Sequence, residues 1–238
     1  LQGLSVLEAV AVIEATTGTP SINDITVVDT ASELLENTAL FETEGLLFGL
    51  SPQSVSAENV GLKDVNSLVN AQVSGVNLVN SIELAGPGTI TDPVDIETAL
   101  GLLDPRISNG PTASSLSIKD DAQAIISSAA KFDAGNELAE VTVVTATDAS
   151  VADVQTLVST GVVTTIEVSD SSANLLTFTE PASVVIEKHV ENARIVDLQN
   201  LNNATISYQS FSIADTVDNV LADYQSSGFT TSSGPVVT

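Results

Sequence analysis

Residues Phe211 to Leu221 read FSIADTVDNVL, and the pattern comes back three more times: ITVVDTASELL from Ile25 to Leu35, LSIKDDAQAII from Leu116 to Ile126, and IEVSDSSANLL from Ile166 to Leu176. Each copy carries two apolar residues in alternation, then an Asp, then one or two small or polar residues, then an apolar pair. Strict alternation marks a half-buried strand, and an Asp followed by a new apolar spacing marks the start of a capped helix. The unit is therefore expected to be strand, Asp N-cap, helix.

Weaker copies fill the intervals. Val60 to Val69 (VGLKDVNSLV) is centred on Asp64, and Val141 to Leu157 (VTVVTATDASVADVQTL) on Asp148. Ile195 to Leu201 (IVDLQNL) is centred on Asp197. Thr89 to Leu100 (TITDPVDIETAL) fits in part, with Asp92 ahead of Pro93 at a first helical position, where a missing N–H costs nothing. Residues 1–18 open on a helical spacing of Leu4, Leu7 and Val10, stopped by the turn from Thr16 to Pro20. The chain begins at Leu1 without an initiator methionine, so its start is expected to be a processed or fragment boundary.

Asp64, Asp92, Asp120 and Asp148 fall at equal intervals, and the other markers scatter around them. A period of roughly 20–50 residues signals a solenoid or array whose units bury their apolar faces only against neighbours. Strands joined through helices in this way are parallel. The expectation is an α/β solenoid over residues 1–238, with about eight units, short parallel strands on one face and short helices on the other. Tandem all-β sandwich modules are the alternative. Pro and Gly fall between units at Ser51-Pro52, Gly86-Pro87-Gly88, Asp104-Pro105, Asn109-Gly110-Pro111 and Glu180-Pro181, and 104–115 is a candidate internal boundary. Residues 225–238 read as a linker or a tail that pairs with a neighbour, ending in Val236-Val237-Thr238.

The composition narrows the function classes. Hydrophobic residues make up 43%, mostly small aliphatics, and aromatics only 3%; mean hydropathy is +0.29. That excludes a disordered chain and suits thin layers. Against 31 Asp and Glu stand 6 Lys and Arg, a formal charge of −25. Nucleic acid and anionic membranes are excluded as partners, because phosphate binding needs cations. Such a surface packs closely only where salt screens it or divalent cations bridge it, so calcium enters as a candidate cofactor. Cysteine is absent, which removes disulfides, thiolate chemistry and Cys-based metal sites.

The motif Ile-x-Val-x-Asp-(Thr/Ser)-(Ala/Ser), seen at Ile25 to Leu35 and Ile166 to Leu176 and alternating with the Val141 to Leu157 type, resembles repeats of large secreted bacterial proteins. Those are surface-layer-like and adhesin-like proteins, many exported by type I secretion. The resemblance implies an extracellular structural or adhesive role at the bacterial cell surface. The Gly-Gly-x-Gly-x-Asp calcium nonapeptide of many such proteins is missing here.

No motif carries a reaction. His189, the one histidine, lies between Lys188 and Glu191 and reads as a solvated side chain; a triad would need a Ser and an Asp placed around it. Ser128-Ala129-Ala130-Lys131 matches Ser-x-x-Lys, but the companion Ser-Asp-Asn and Lys-Thr-Gly elements are absent. Asn203-Ala204-Thr205 is a glycosylation triplet of chance type. Asp29, Asp64, Asp92, Asp120, Asp170 and Asp215 read as helix caps, with calcium the competing reading if Asp95, Asp121 or Asp218 add oxygens. No catalytic, cofactor-binding or metal residue is assigned. The expected role is a non-enzymatic segment of an extracellular assembly (S-layer, sheath, filament or adhesin stalk) that associates with itself into a polymer or lattice. A module recognising a glycan or receptor is the alternative.

Overall fold

A computed structural model describes residues 2–15, 25–42, 45–47, 55–86 and 90–227. The turn from Thr16 to Pro20, Ser51-Pro52, Pro87-Gly88 and the tail from residue 228 onward lie outside the described residues. The chain forms two compact units, residues 1–116 and 117–238.

The first unit runs α1 (Val6–Ala15), β1 (Val27–Thr30), α2 (Ala31–Glu36), β2 (Val55–Val60), α3 (Leu62–Asn70), β3 (Gln72–Val73), β4 (Val76–Asn77), β5 (Ser81–Leu84) and α4 (Ile96–Leu102). Strands β1, β2 and β5 form a parallel sheet in that order. Single parallel bridges, Leu4 to Val27 and Ile82 to Ile107, extend it on both sides. β3 and β4 form a separate antiparallel hairpin, turned by Ser74 and Gly75 at φ 52° and 78°. Positive φ at both central residues is the turn geometry whose twist matches the strands.

The second unit runs β6 (Ser117–Asp121), α5 (Ala122–Ser128), β7 (Val143–Ala149), α6 (Val151–Thr160), β8 (Thr165–Asp170), α7 (Ser172–Thr177), β9 (Val185–Ala193), α8 (Ile195–Asn203), β10 (Ser210–Ile213) and α9 (Val217–Ser227). Its five strands lie side by side in sequence order, all parallel. The alternation seen in the sequence sets the faces: Ile118, Val144, Ala146, Ile166, Val168 and Val190 are buried, and their neighbours along each strand turn outward. Leu34, Val65 and Leu68 close the core of the first unit from its helices, and Ile125, Leu157, Leu175 and Leu201 close that of the second, each buried side chain worth about 1.5–3 kcal/mol. The protein is thus mixed α/β, with parallel sheets flanked by helices, and not a set of all-β sandwiches.

Several boundaries differ from the sequence reading. Leu4 pairs with β1 instead of opening the first helix. The strand expected near Thr89 is β5, because Ile82 and Leu84 are the alternating pair that is buried, whereas Thr91 is exposed. Ile195 starts a helix; the strand before it is β9.

The helix starts also differ, and systematically. The N-cap is the residue after the strand-end Asp: the Thr30 hydroxyl accepts the Glu33 N–H, Ser171 that of Asn174, Thr216 that of Asn219, and the Asp121 carboxylate those of Gln123 and Ala124. Asp64 and Asp197 lie inside the first turns of α3 and α8, Asp92 is exposed ahead of α4, and Asp95 caps that helix. Asp148 lies in a bulge of β7 at φ 52°, matched by Asn59 in β2 at 52° and Asn192 in β9 at 50°. Asp and Asn tolerate this left-handed conformation better than other residues with a side chain. Two kinds of strand therefore alternate in the second unit: Asp-ended (β6, β8, β10) and bulged (β7, β9). After the bulged strands, an acid in the first turn folds back to the residue ahead of the helix. Asp153 accepts the N–H and hydroxyl of Ser150, and Asp197 accepts the N–H of Arg194; in the first unit Glu8 does the same for Ser5.

Candidate functional site

Three of the strand-end aspartates hold the helix that precedes them in the chain. Asp29 accepts the Val6 N–H at 2.9 Å, Asp170 that of Val151 at 3.0 Å, and Asp215 that of Ile195 at 3.0 Å. Each donor is the first residue of a helix, where backbone N–H groups have no partner within the helix. The second oxygen accepts the next residue's own N–H: Thr30 at 2.8 Å, Ser171 at 2.7 Å, Thr216 at 2.7 Å. Asn174 and Asn219 add side-chain amides at 2.8 and 2.7 Å. Burial pushes the Asp170 carboxyl up, but the donors from Val151, Asn174 and Ser171 outweigh it and hold it below the usual carboxylate range. Asp215 is held low by the Asn219 amide first, then by the Ile195 and Thr216 N–H groups. The Asp120 Oδ1 likewise accepts the next residue's N–H, that of Asp121, at 2.8 Å, and its carbonyl accepts the Thr147 hydroxyl.

These carboxylates are spent on N–H donors, the opposite of what a cation needs. Among the described residues, no three His, Asp or Glu side chains converge where a metal ion could sit. At Asp29, Asp170 and Asp215, calcium would compete with the hydrogen bonds that join one strand to the previous helix.

His189 is only partly solvated. The register sets Ser169, His189 and Ser210 side by side across β8, β9 and β10. The imidazole is half-buried, with Nδ1 2.7 Å from the Ser210 hydroxyl. Its Nε2 is shut off from solvent and has no hydrogen-bond partner among the described residues. A depression of about 390 Å3 surrounds the pair, lined also by Glu167, Ser169, Glu191 and Ser212. A serine nucleophile needs a base that is itself oriented by a carboxylate at its far nitrogen. Here that nitrogen is bare, so the arrangement is a hydrogen-bonded pair on a polar sheet face, without the third member.

Ser128 and Lys131 do not meet in a site. Ser128 closes α5, and Lys131 reaches Glu137 at 3.6 Å, both half-exposed. Asn203 is the exposed last residue of α8. Two ionic groups carry no sequence motif. Arg106 clasps Asp104 through Nε at 2.8 Å and Nη2 at 3.0 Å, and donates to the carbonyls of Val69 and Val79. The Arg106 guanidinium holds the Asp104 carboxyl below the usual range, against a smaller upward push from burial. With Asn109 bonded to both backbone groups of Leu84, this ties residues 104–109 to the edge of β5. Lys188 points inward from β9, its side chain only 8% exposed, and pairs with Glu180. A Lys in an alternating strand, flanked two residues away by Ile186 and Val190, was the signal for that position.

Compared with known protein families, characterised proteins and solved structures, the chain matches none. Among the described residues, no helix is long and apolar enough to cross a membrane.

Proposed function

We propose that this chain is a non-enzymatic structural segment of a bacterial extracellular assembly, built as a solenoid of alternating Asp-ended and bulged units. One observation carries the reading: in the second unit each strand pairs only with its sequence neighbours, and strand-end aspartates hold the helix before them. Stability is then nearest-neighbour in origin, the property of a spacer or lattice element. The charge of −25, the lack of cysteine and the resemblance to surface-layer-like and adhesin-like repeats support an extracellular setting. With the strand-end carboxylates occupied by N–H groups, calcium acts by bridging the surface carboxylates of neighbouring molecules.

Light scattering after size exclusion tests this, first in millimolar calcium with physiological or higher salt, then with excess chelator, with electron microscopy of the same fractions. Ordered particles far above 24.4 kDa support the assembly; growth that chelator reverses assigns the bridging to calcium. A monomer under every condition refutes the assembly. The depression around His189, in which Val190 and Phe211 lie beside serines and carboxylates, favours a second reading, a glycan- or receptor-binding module. That reading requires a monomer that retains a glycan on an array and loses it in His189→Ala.

A further inference from the structure

The turn that ends α8 carries strain at one residue that its packing leaves unexplained. The helix closes in a Schellman turn. The Thr205 N–H donates to the Asn202 carbonyl and the Ile206 N–H to that of Leu201, with Leu201 and Ile206 as its apolar pair. The residue that turns left-handed in this motif is usually Gly, which has no Cβ to clash. The end of α6 follows that rule with Gly161 at φ 70°. The end of α8 places Thr205 there instead, at φ 60°. Among the described residues, the other non-glycine residues at positive φ are Asn59, Ser74, Asp148 and Asn192, none of them branched at Cβ. A β-branched residue in this conformation is an outlier, because its two γ atoms crowd the backbone.

Nothing around Thr205 offsets that strain. Its side chain is exposed, and its hydroxyl bonds to no group among the described residues. Asn203, two residues earlier, is exposed as well, with its side-chain amide free among the described residues. The amides of Asn37, Asn109, Asn136, Asn174 and Asn219, by contrast, all donate hydrogen bonds. Among the asparagines of the chain, Asn203 alone has a Ser or Thr two positions on. Chance accounts for the triplet in the sequence, but not for a Thr held where the turn calls for Gly.

We infer that Asn203 is an acceptor for N-linked glycosylation, and that Thr205 is kept at a glycine position because its hydroxyl is the recognition group of the Asn-x-Thr sequon. The Asn203 amide nitrogen attacks the anomeric carbon of an oligosaccharide carried on a lipid pyrophosphate. The C–N bond forms as the C–O bond to the pyrophosphate breaks. The pyrophosphate leaves with the electron pair, and the amide gives up one proton to a base of the transferase. Asn203, Ala204 and Thr205 are all exposed, so the glycan projects into solvent from the turn between α8 and β10 without displacing a packed side chain. This rests on the extracellular setting proposed above, because the sequon is read on exported chains.

The test isolates the protein from its own cells, in surface and internal fractions, and reads the peptide that holds Asn203 by mass spectrometry. The expected result is a sugar increment on Asn203 in the surface fraction, lost completely in Asn203→Gln and Thr205→Ala and kept in Thr205→Ser. Thr205→Gly, made in a host without the transferase, is expected to melt higher than wild type from the same host, since glycine relieves the turn. Surface protein unmodified at Asn203, or a sugar that survives Thr205→Ala, overturns the sequon and leaves the extracellular setting standing. Unmodified protein confined to the cell interior overturns both. A Thr205→Gly melting temperature at or below that of wild type overturns the claim that the hydroxyl is kept against strain.

Discussion

Asp170→Ala removes three hydrogen bonds in one substitution, and their environments set the expected loss. The Ser171 N–H and the Asn174 amide are exposed and turn to water, at about 0.5–1 kcal/mol each. The Val151 N–H is part-buried, and leaving it unpaired costs about 1–3 kcal/mol. Loss of the negative charge at the start of α6 and α7 adds a few tenths. The variant should lose about 2–5 kcal/mol in urea unfolding, and Asp170→Asn about half as much, since one oxygen cannot serve both sides. Asp153→Ala, which removes the capping contacts to Ser150 and one exposed bond from Gln123 of the helix before it, should lose about 1 kcal/mol. Amide exchange localises the effect: the Val151 N–H should exchange at least tenfold faster in Asp170→Ala, equivalent to about 1.4 kcal/mol. A loss under about 0.5 kcal/mol, or unchanged Val151 exchange, refutes the view that the strand-end Asp ties one unit to the previous one.

Two further outcomes follow from the charged groups. Asp170, Asp215 and Asp104, together with Asp197 beside the Arg194 guanidinium, have folded carboxyls held below their ordinary range. Their stabilisation is fully present above the unfolded value of about 3.9 and is lost as pH falls through the lower folded values. The melting temperature should therefore fall steeply below about pH 4, and less steeply in Asp170→Asn; an identical acid slope in that variant refutes the assignment. Glu180→Ala should destabilise by about 1–3 kcal/mol in thermal unfolding, because it leaves the buried Lys188 ammonium without its partner. Lys188→Met, which removes the charge, should be neutral or stabilising, and the double variant should resemble it; a Lys188→Met loss above that of Glu180→Ala refutes the desolvation argument.

The alternation of Ile25 with Val27, Ile166 with Val168 and Phe211 with Ile213 carried the strands, the parallel sheets and the core directly from the sequence. The role of the aspartates was legible only in part. An Asp before a helix looks like that helix's cap, yet Thr30, Ser171 and Thr216 compete for the same N–H groups from one residue closer. That frees the Asp to reach the first turn of the previous helix, a contact about twenty residues back that no local spacing encodes. The bulges were invisible for a related reason: Asp148 reads as another marker unless the register is known. His189 and Ser210 meet across two parallel strands, so only the pairing of β9 with β10 brings them together.

The aspartate ties also set an order of events for a chain delivered from its N-terminus. The start of α6 has no carboxylate from a later strand until Asp170 emerges, 19 residues after Val151; α8 waits for Asp215, 20 residues on, and α1 for Asp29, 23 residues on. At about 5–20 residues per second of synthesis, each helix stands open for about 1–5 s. Completion thus advances as a ratchet, each strand locking the turn made just before it, and the growing tip is always the least stable part of the molecule.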